Sequence, residues 1–94
     1  MAYNLSLEAK ALLEIREAFE WYEEQKEGLG YELLEEIDIC YKNLRANPER
    51  YSYINQFYRR IKTNRFPYIL IYEFEGDDIV INSVRHIKRK PFRS

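Results

Sequence analysis

The sequence predicts an α+β fold in which a helical hairpin packs on a small antiparallel sheet, in the order β-α-α-β-β-β. Three observations carry this. The first half holds two apolar stripes of helical period, a glycine pair separates them, and the patterning turns strand-like after residue 57. The 94 residues make one domain, 1–94. A chain of that length buries roughly 60–65% of its unfolded surface and folds without metal or disulfide staples.

Tyr3, Leu5 and Leu7 alternate with small or polar neighbours, which suits a first strand; Ser6 followed by Glu8 equally suits a helix start. From Ala9 to Gln25, Leu12, Ile15, Phe19 and Tyr22 recur at helical spacing, backed by Ala11, Ala18 and Trp21, with glutamates around the rest of the wheel. Gly28 and Gly30 break this helix. A second stripe of Leu33, Leu34, Ile37, Cys40, Tyr41 and Leu44 runs to the stop at Asn47-Pro48. Two helices joined so closely form an antiparallel hairpin.

After the turn-rich NPERYSYINQ the pattern changes. FPYILIYEF is almost continuously apolar, as in a central strand covered on both faces or nearly so. Thr63-Asn64 and Gly76-Asp77 supply turns on either side, and Ile79, Ile81 and Val84 give a further run, so 57–85 reads as a three-strand antiparallel meander. Strand alternation puts Arg60 and Lys62 on one face and Arg59 with Ile61 on the other.

The net charge of −1 hides an asymmetry. Residues 1–40 carry three cations against eleven carboxylates, a balance of −8, and residues 41–94 carry twelve cations against five carboxylates, a balance of +7. Two readings stand. Acidic helices and a basic sheet satisfy one another internally, or Arg59, Arg60, Lys62, Arg65, Arg85, Lys88, Arg89, Lys90 and Arg93 form an anion-binding surface. Tyr51, Tyr53, Phe57, Tyr58 and Tyr68 lie among these cations and serve either core packing or stacking on bases. Cys40 is the one cysteine, on an apolar stripe, and reads as an inert buried thiol. No Cys/His cluster has metal-ligand spacing, so neither a metal nor another cofactor is expected. No run reaches the ~18 apolar residues of a membrane helix, and MAYNLSLEAK lacks the form of a secretory signal; a reducing cytoplasm is the expected compartment.

Four segments in this order resemble the RelE/ParE toxin superfamily of type II toxin–antitoxin modules, and its ParE-like branch in particular. They are AFEWYEEQKEGLGYELLEEID, the Asn47-Pro48 stop, RRIKTNRFPYILIYEF, and VRHIKRKP, which fits H-x-x-R-x-P through His86, Arg89 and Pro91. The resemblance implies a small toxin neutralised by a cognate antitoxin whose C-terminal segment wraps it. ParE-like members are associated with poisoning DNA gyrase, and RelE-like members cleave mRNA on the ribosome. On the gyrase reading the protein binds without chemistry, and Arg59, Arg60, Lys62, Arg65, Arg85, His86 and Arg89 make the contact.

The nuclease alternative needs an acid, a base and cations at one phosphate. His86, the one histidine, with Arg65, Arg60 and Lys62 are the candidates. The nuclease branch commonly carries an arginine on the central strand, where this chain has Ile69-Leu70-Ile71-Tyr72. His86 equally suits a structural role at the chain exit. A third reading is a family member that has lost toxicity and still binds an antitoxin.

Overall fold

The computed structural model describes residues 3–88. β1 spans Asn4–Leu7, α1 Ala9–Gln25, α2 Leu29–Ala46, β2 Arg59–Lys62, β3 Tyr68–Glu75 and β4 Asp78–His86, with a 3-10 turn at Pro48–Arg50. The sheet order is β1-β4-β3-β2. β2, β3 and β4 form the expected antiparallel meander, whereas β1 pairs parallel to β4, so the sheet is mixed. The physical reason is the long helical crossover between β1 and the meander, which a parallel pair requires and a sequence pattern of four residues does not reveal. Ser6 lies in the strand, and α1 begins after Glu8, whose N–H donates to the Ile81 carbonyl at 3.0 Å as one more rung of the β1–β4 ladder.

α1 has its expected bounds and α2 ends at the expected stop, but Gly30, read as part of the break, lies inside α2, and α1 turns two residues of its expected stripe to solvent. Ala11 and Ala18 are buried and Ile15 and Tyr22 half-buried against the sheet, while Leu12 and Trp21 are 56% and 55% exposed. The small alanines let the helix backbone approach the sheet. Glu14 shares that inner stripe because it has work there: its Oε1 accepts from Ser83 Oγ at 2.7 Å and from the Val84 N–H at 2.9 Å. β1 pairs with β4 only as far as Ile81, so this carboxylate satisfies a main-chain donor that the ladder leaves open. The extra residue there is Asn82, since Ile71 faces Ser83 but Tyr72 faces Ile81.

α2 buries Leu33, Ile37, Cys40 and Leu44 of the stripe read from its sequence and leaves Leu34 and Tyr41 half-buried, with Gly30 buried at its start. Its start is fixed by Glu23 of α1, whose two carboxylate oxygens accept from the Gly28 N–H at 3.2 Å and the Gly30 N–H at 2.7 Å. Gly28 has φ of 89°, a left-handed turn that glycine adopts without strain. The core lies between the hairpin and one sheet face, where Leu33, Leu44, Leu70, Tyr72, Ile79, Ile81 and Val84 are fully buried. Tyr72 is also anchored by its hydroxyl, which donates to the Pro48 carbonyl at 2.6 Å.

Burial raises the Tyr72 and Tyr41 phenols from 10.0 to about 12, and raises the Cys40 thiol from 9.0 to about 11. These groups are neutral when protonated, so the folded chain holds their protons longer than the unfolded chain does. Their contribution is therefore complete below about pH 9 and is lost as pH rises towards 12. Urea midpoints are expected to fall steadily over that window. A flat profile would mean that the phenols titrate alike in both states.

Candidate functional site

Cross-strand register decides which cations share a surface. Lys62 lies opposite Ile69, and Ile69 opposite Arg85, so Lys62, Ile69 and Arg85 form one row across three strands; Arg60 stands beside it, opposite Ile71. This row is on the sheet face away from the helices. Arg60 and Lys62 are exposed and Arg85 is half-buried. Lys62 Nζ leans over the following turn, donating to the carbonyls of Thr63 at 3.0 Å and Asn64 at 3.4 Å. A groove of about 470 Å³ opens here, with Arg50, Arg60 and Lys62 around Tyr51, Ile69 and Ile87. Arg50 did not stand out in the sequence. It comes from the short turn after α2, and nothing in NPERYSYINQ signals that this loop returns alongside β2, where the Arg60 N–H donates to the Ser52 carbonyl at 3.1 Å.

The same face is acidic at its far end. Glu73, Glu75 and Asp78 line a second depression near the Gly76-Asp77 turn. A partner on this surface therefore meets a charge gradient that fixes its orientation as well as its sign.

Two sequence candidates have other partners. Arg59 faces the core side: its Nη1 donates to the carbonyls of Glu49 at 2.9 Å and Tyr51 at 2.8 Å, and its Nη2 to the Tyr53 hydroxyl at 2.9 Å. The guanidinium also lies 4.0 Å from the Tyr53 ring centre. It ties the 49–53 loop to the sheet. Arg65 turns back onto α2, pairing with Glu32 and, at 3.6 Å, with Glu36. Glu36 also accepts from the Arg65 N–H at 2.8 Å, so the β2–β3 turn is stitched to the helix by side chain and main chain together. The hydrogen bond to Glu32 raises Arg65 above its ordinary pKa, which is the internal compensation between acidic helix and basic sheet read from the charge balance.

His86 is on the opposite side of the sheet from Arg60 and Lys62. It is half-buried at the end of β4, its ring set edge-on to Tyr68 at 5.4 Å between centres, and its Nδ1 accepts from the Lys88 N–H at 3.1 Å. With Nδ1 occupied as an acceptor, the neutral ring carries its proton on Nε2. Its neighbours across a groove of about 420 Å³ are Glu17, Ala18, Trp21, Tyr22 and Tyr68. The four residues considered for phosphate chemistry are thus not gathered: Arg60 and Lys62 share one face, Arg65 in the β2–β3 turn is paired with Glu32 and Glu36 of α2, and His86 faces α1. Arg89, with Lys90, Pro91 and Arg93, lies outside the described residues. Among the described residues no set of His, Cys, Asp and Glu is placed to hold a metal ion, and no helix is long and apolar enough to cross a membrane.

The family model described as the ParE toxin of a type II toxin–antitoxin system, parDE, matches residues 5–91. The chain belongs to the ParE toxin family. Among solved structures, this ParE-family chain is similar to one from a chromosomal ParDE toxin–antitoxin system of P. aeruginosa. The TM-score is 0.80 at 14% sequence identity, covering 93% of this chain and 98% of that one. At that identity the likeness shows a shared fold. A search of curated proteins finds no match.

Proposed function

We propose that this ParE-family chain is a toxin that acts by binding, with DNA gyrase as its target, and that a cognate antitoxin neutralises it by covering the same surface. The observation that carries the reading is the clustering of Arg60, Lys62 and Arg85 on the open sheet face with Arg50 and the apolar Ile69 and Ile87 beside them. Exposed cations around a small apolar floor suit an acidic protein surface. Desolvated charge pairs there give specificity, and the wider basic field speeds encounter. An antitoxin segment that folds on binding would present carboxylates and apolar anchors to the same place. Family membership supports the toxin and antitoxin roles. The separation of His86 from Arg60 and Lys62 supports binding over chemistry.

The experiment is pulse labelling of DNA and protein synthesis in bacteria just after the chain is induced without an antitoxin. DNA synthesis is expected to fail first. Earlier failure of protein synthesis would move the target to the ribosome and its mRNA, in spite of the scattered candidates. No failure of either would leave a ParE-family protein that binds an antitoxin without being toxic.

A further inference from the structure

We propose that the groove between α1 and the end of β4 binds an arginine side chain carried on an extended segment of a partner protein. The site is distinct from the basic face and does not depend on the gyrase reading.

The walls of the groove select the ligand. Trp21, Tyr22 and Tyr68 supply aromatic surface, with Trp21 and Tyr22 perpendicular at 4.9 Å and Tyr22 and Tyr68 at 6.1 Å between ring centres. Such surfaces attract cations through the electron-rich ring faces, tryptophan most strongly. Glu17, on the groove wall, lies four residues before Trp21, and Glu24 lies three after it, so the indole is bracketed by carboxylates on one helix stripe. Trp21 is 55% exposed, a large apolar side chain left in water between two anions. The first 40 residues carry a balance of −8. Glu17 and Glu24, beside the indole, therefore favour a cation, opposite in sign to Arg60 and Lys62 on the sheet face behind. A guanidinium fits better than an ammonium because its plane stacks on an indole or phenol while its fork reaches a carboxylate.

The main chain beside the groove selects an extended segment. β1 leaves β4 after Ile81, and Glu14 takes the Val84 N–H that points off the sheet there. Main-chain groups alternate in direction along an antiparallel ladder. The next pair pointing outward belongs to His86, at the groove itself, while the Ile87 N–H turns inward to the Pro67 carbonyl at 2.9 Å. An incoming strand can thus bond to His86 while its side chain enters among Trp21, Tyr68 and Glu17.

Trp21 is the chain's one tryptophan and reports occupancy directly. The test is a fluorescence titration of the folded chain with the peptide Ac-GVRVG-NH2 and with the same peptide carrying neutral citrulline in place of arginine. The arginine peptide is expected to change Trp21 emission saturably, and to bind about tenfold more tightly than the citrulline peptide. The difference should shrink in Glu17→Gln, whose side chain is exposed and outside the core. Equal binding of the two peptides would overturn the proposal in favour of simple strand capture. No saturable change, or an unaltered preference in Glu17→Gln, would overturn it outright. Because the readout is peptide binding by the isolated chain, neither result bears on toxicity.

Discussion

Gly30→Val is expected to lower the thermal midpoint by about 12–24 °C, the equivalent of about 3 kcal/mol in a domain of this size. A Cβ at Gly30 would stand 2.7 Å from both Phe19 Cδ1 and the Phe19 carbonyl oxygen, and 2.8 Å from Glu23 Cγ. A side-chain carbon can rotate away; a helix carbonyl cannot, so the two helices would have to part. Parting them also pulls the Gly30 N–H from its 2.7 Å bond to Glu23 and loosens the start of α2. Gly30→Ala is the subtler case, because alanine's helix propensity offsets about 1 kcal/mol of the clash. Gly28→Ala separates steric from conformational effects: nothing lies within 4 Å of a Cβ there, but φ is +89°. Its cost should be about 1 kcal/mol and come from the backbone alone. If circular-dichroism melts of Gly30→Val and the parent chain coincided, the close contact between helices would be wrong.

The GLG motif shows what a sequence can and cannot say. Its glycines announce a break, and the end of α1 follows from it, but the reason for the second glycine lies in Phe19, eleven residues earlier. The meander and the buried central strand were legible because alternation and turn chemistry are local. The direction of β1 was not, since four residues pair equally well either way until a crossover fixes them. α1 keeps Ala11, Ile15, Ala18 and Tyr22 of its expected stripe inward but turns Leu12 and Trp21 to solvent, because close packing against the sheet favours the small alanines over larger, more hydrophobic side chains. Glu14 could not be read at all, because its partners Ser83 and Val84 are 69 and 70 residues away.

The same limit explains the candidate site. Arg59, Arg60, Lys62 and Arg65 are chemically alike in sequence, and only tertiary contacts sort them. Alternation separated Arg59 from Arg60, and the structure agrees. Nothing local revealed that Arg65 would be held by Glu32 and Glu36, or that Arg50 would join Arg60 and Lys62.

Arg60→Glu combined with Lys62→Glu is expected to abolish growth arrest while leaving the fold unchanged. Arg60 is exposed, and among the described residues Lys62 Nζ bonds to the carbonyls of its own turn, so the change in stability should stay within about 0.5 kcal/mol per substitution. The loss in target affinity should be far larger. Removing a charge from a desolvated pair costs about 2–5 kcal/mol, or roughly 30- to several-thousand-fold in affinity, and reversal adds repulsion. Colony counts after induction read the effect, and a melt of the purified variant guards against misfolding. Arg65→Ala makes a poor substitute, because it breaks the ion pairs that hold the β2–β3 turn to α2 and would confound toxicity with stability. His86→Ala is the informative counterpart, since His86 lies on the other side of the sheet. Should His86→Ala silence the toxin while the double charge reversal stays fully toxic, the target contact would belong to the α1 groove and the basic face would be left to the antitoxin or to solvent.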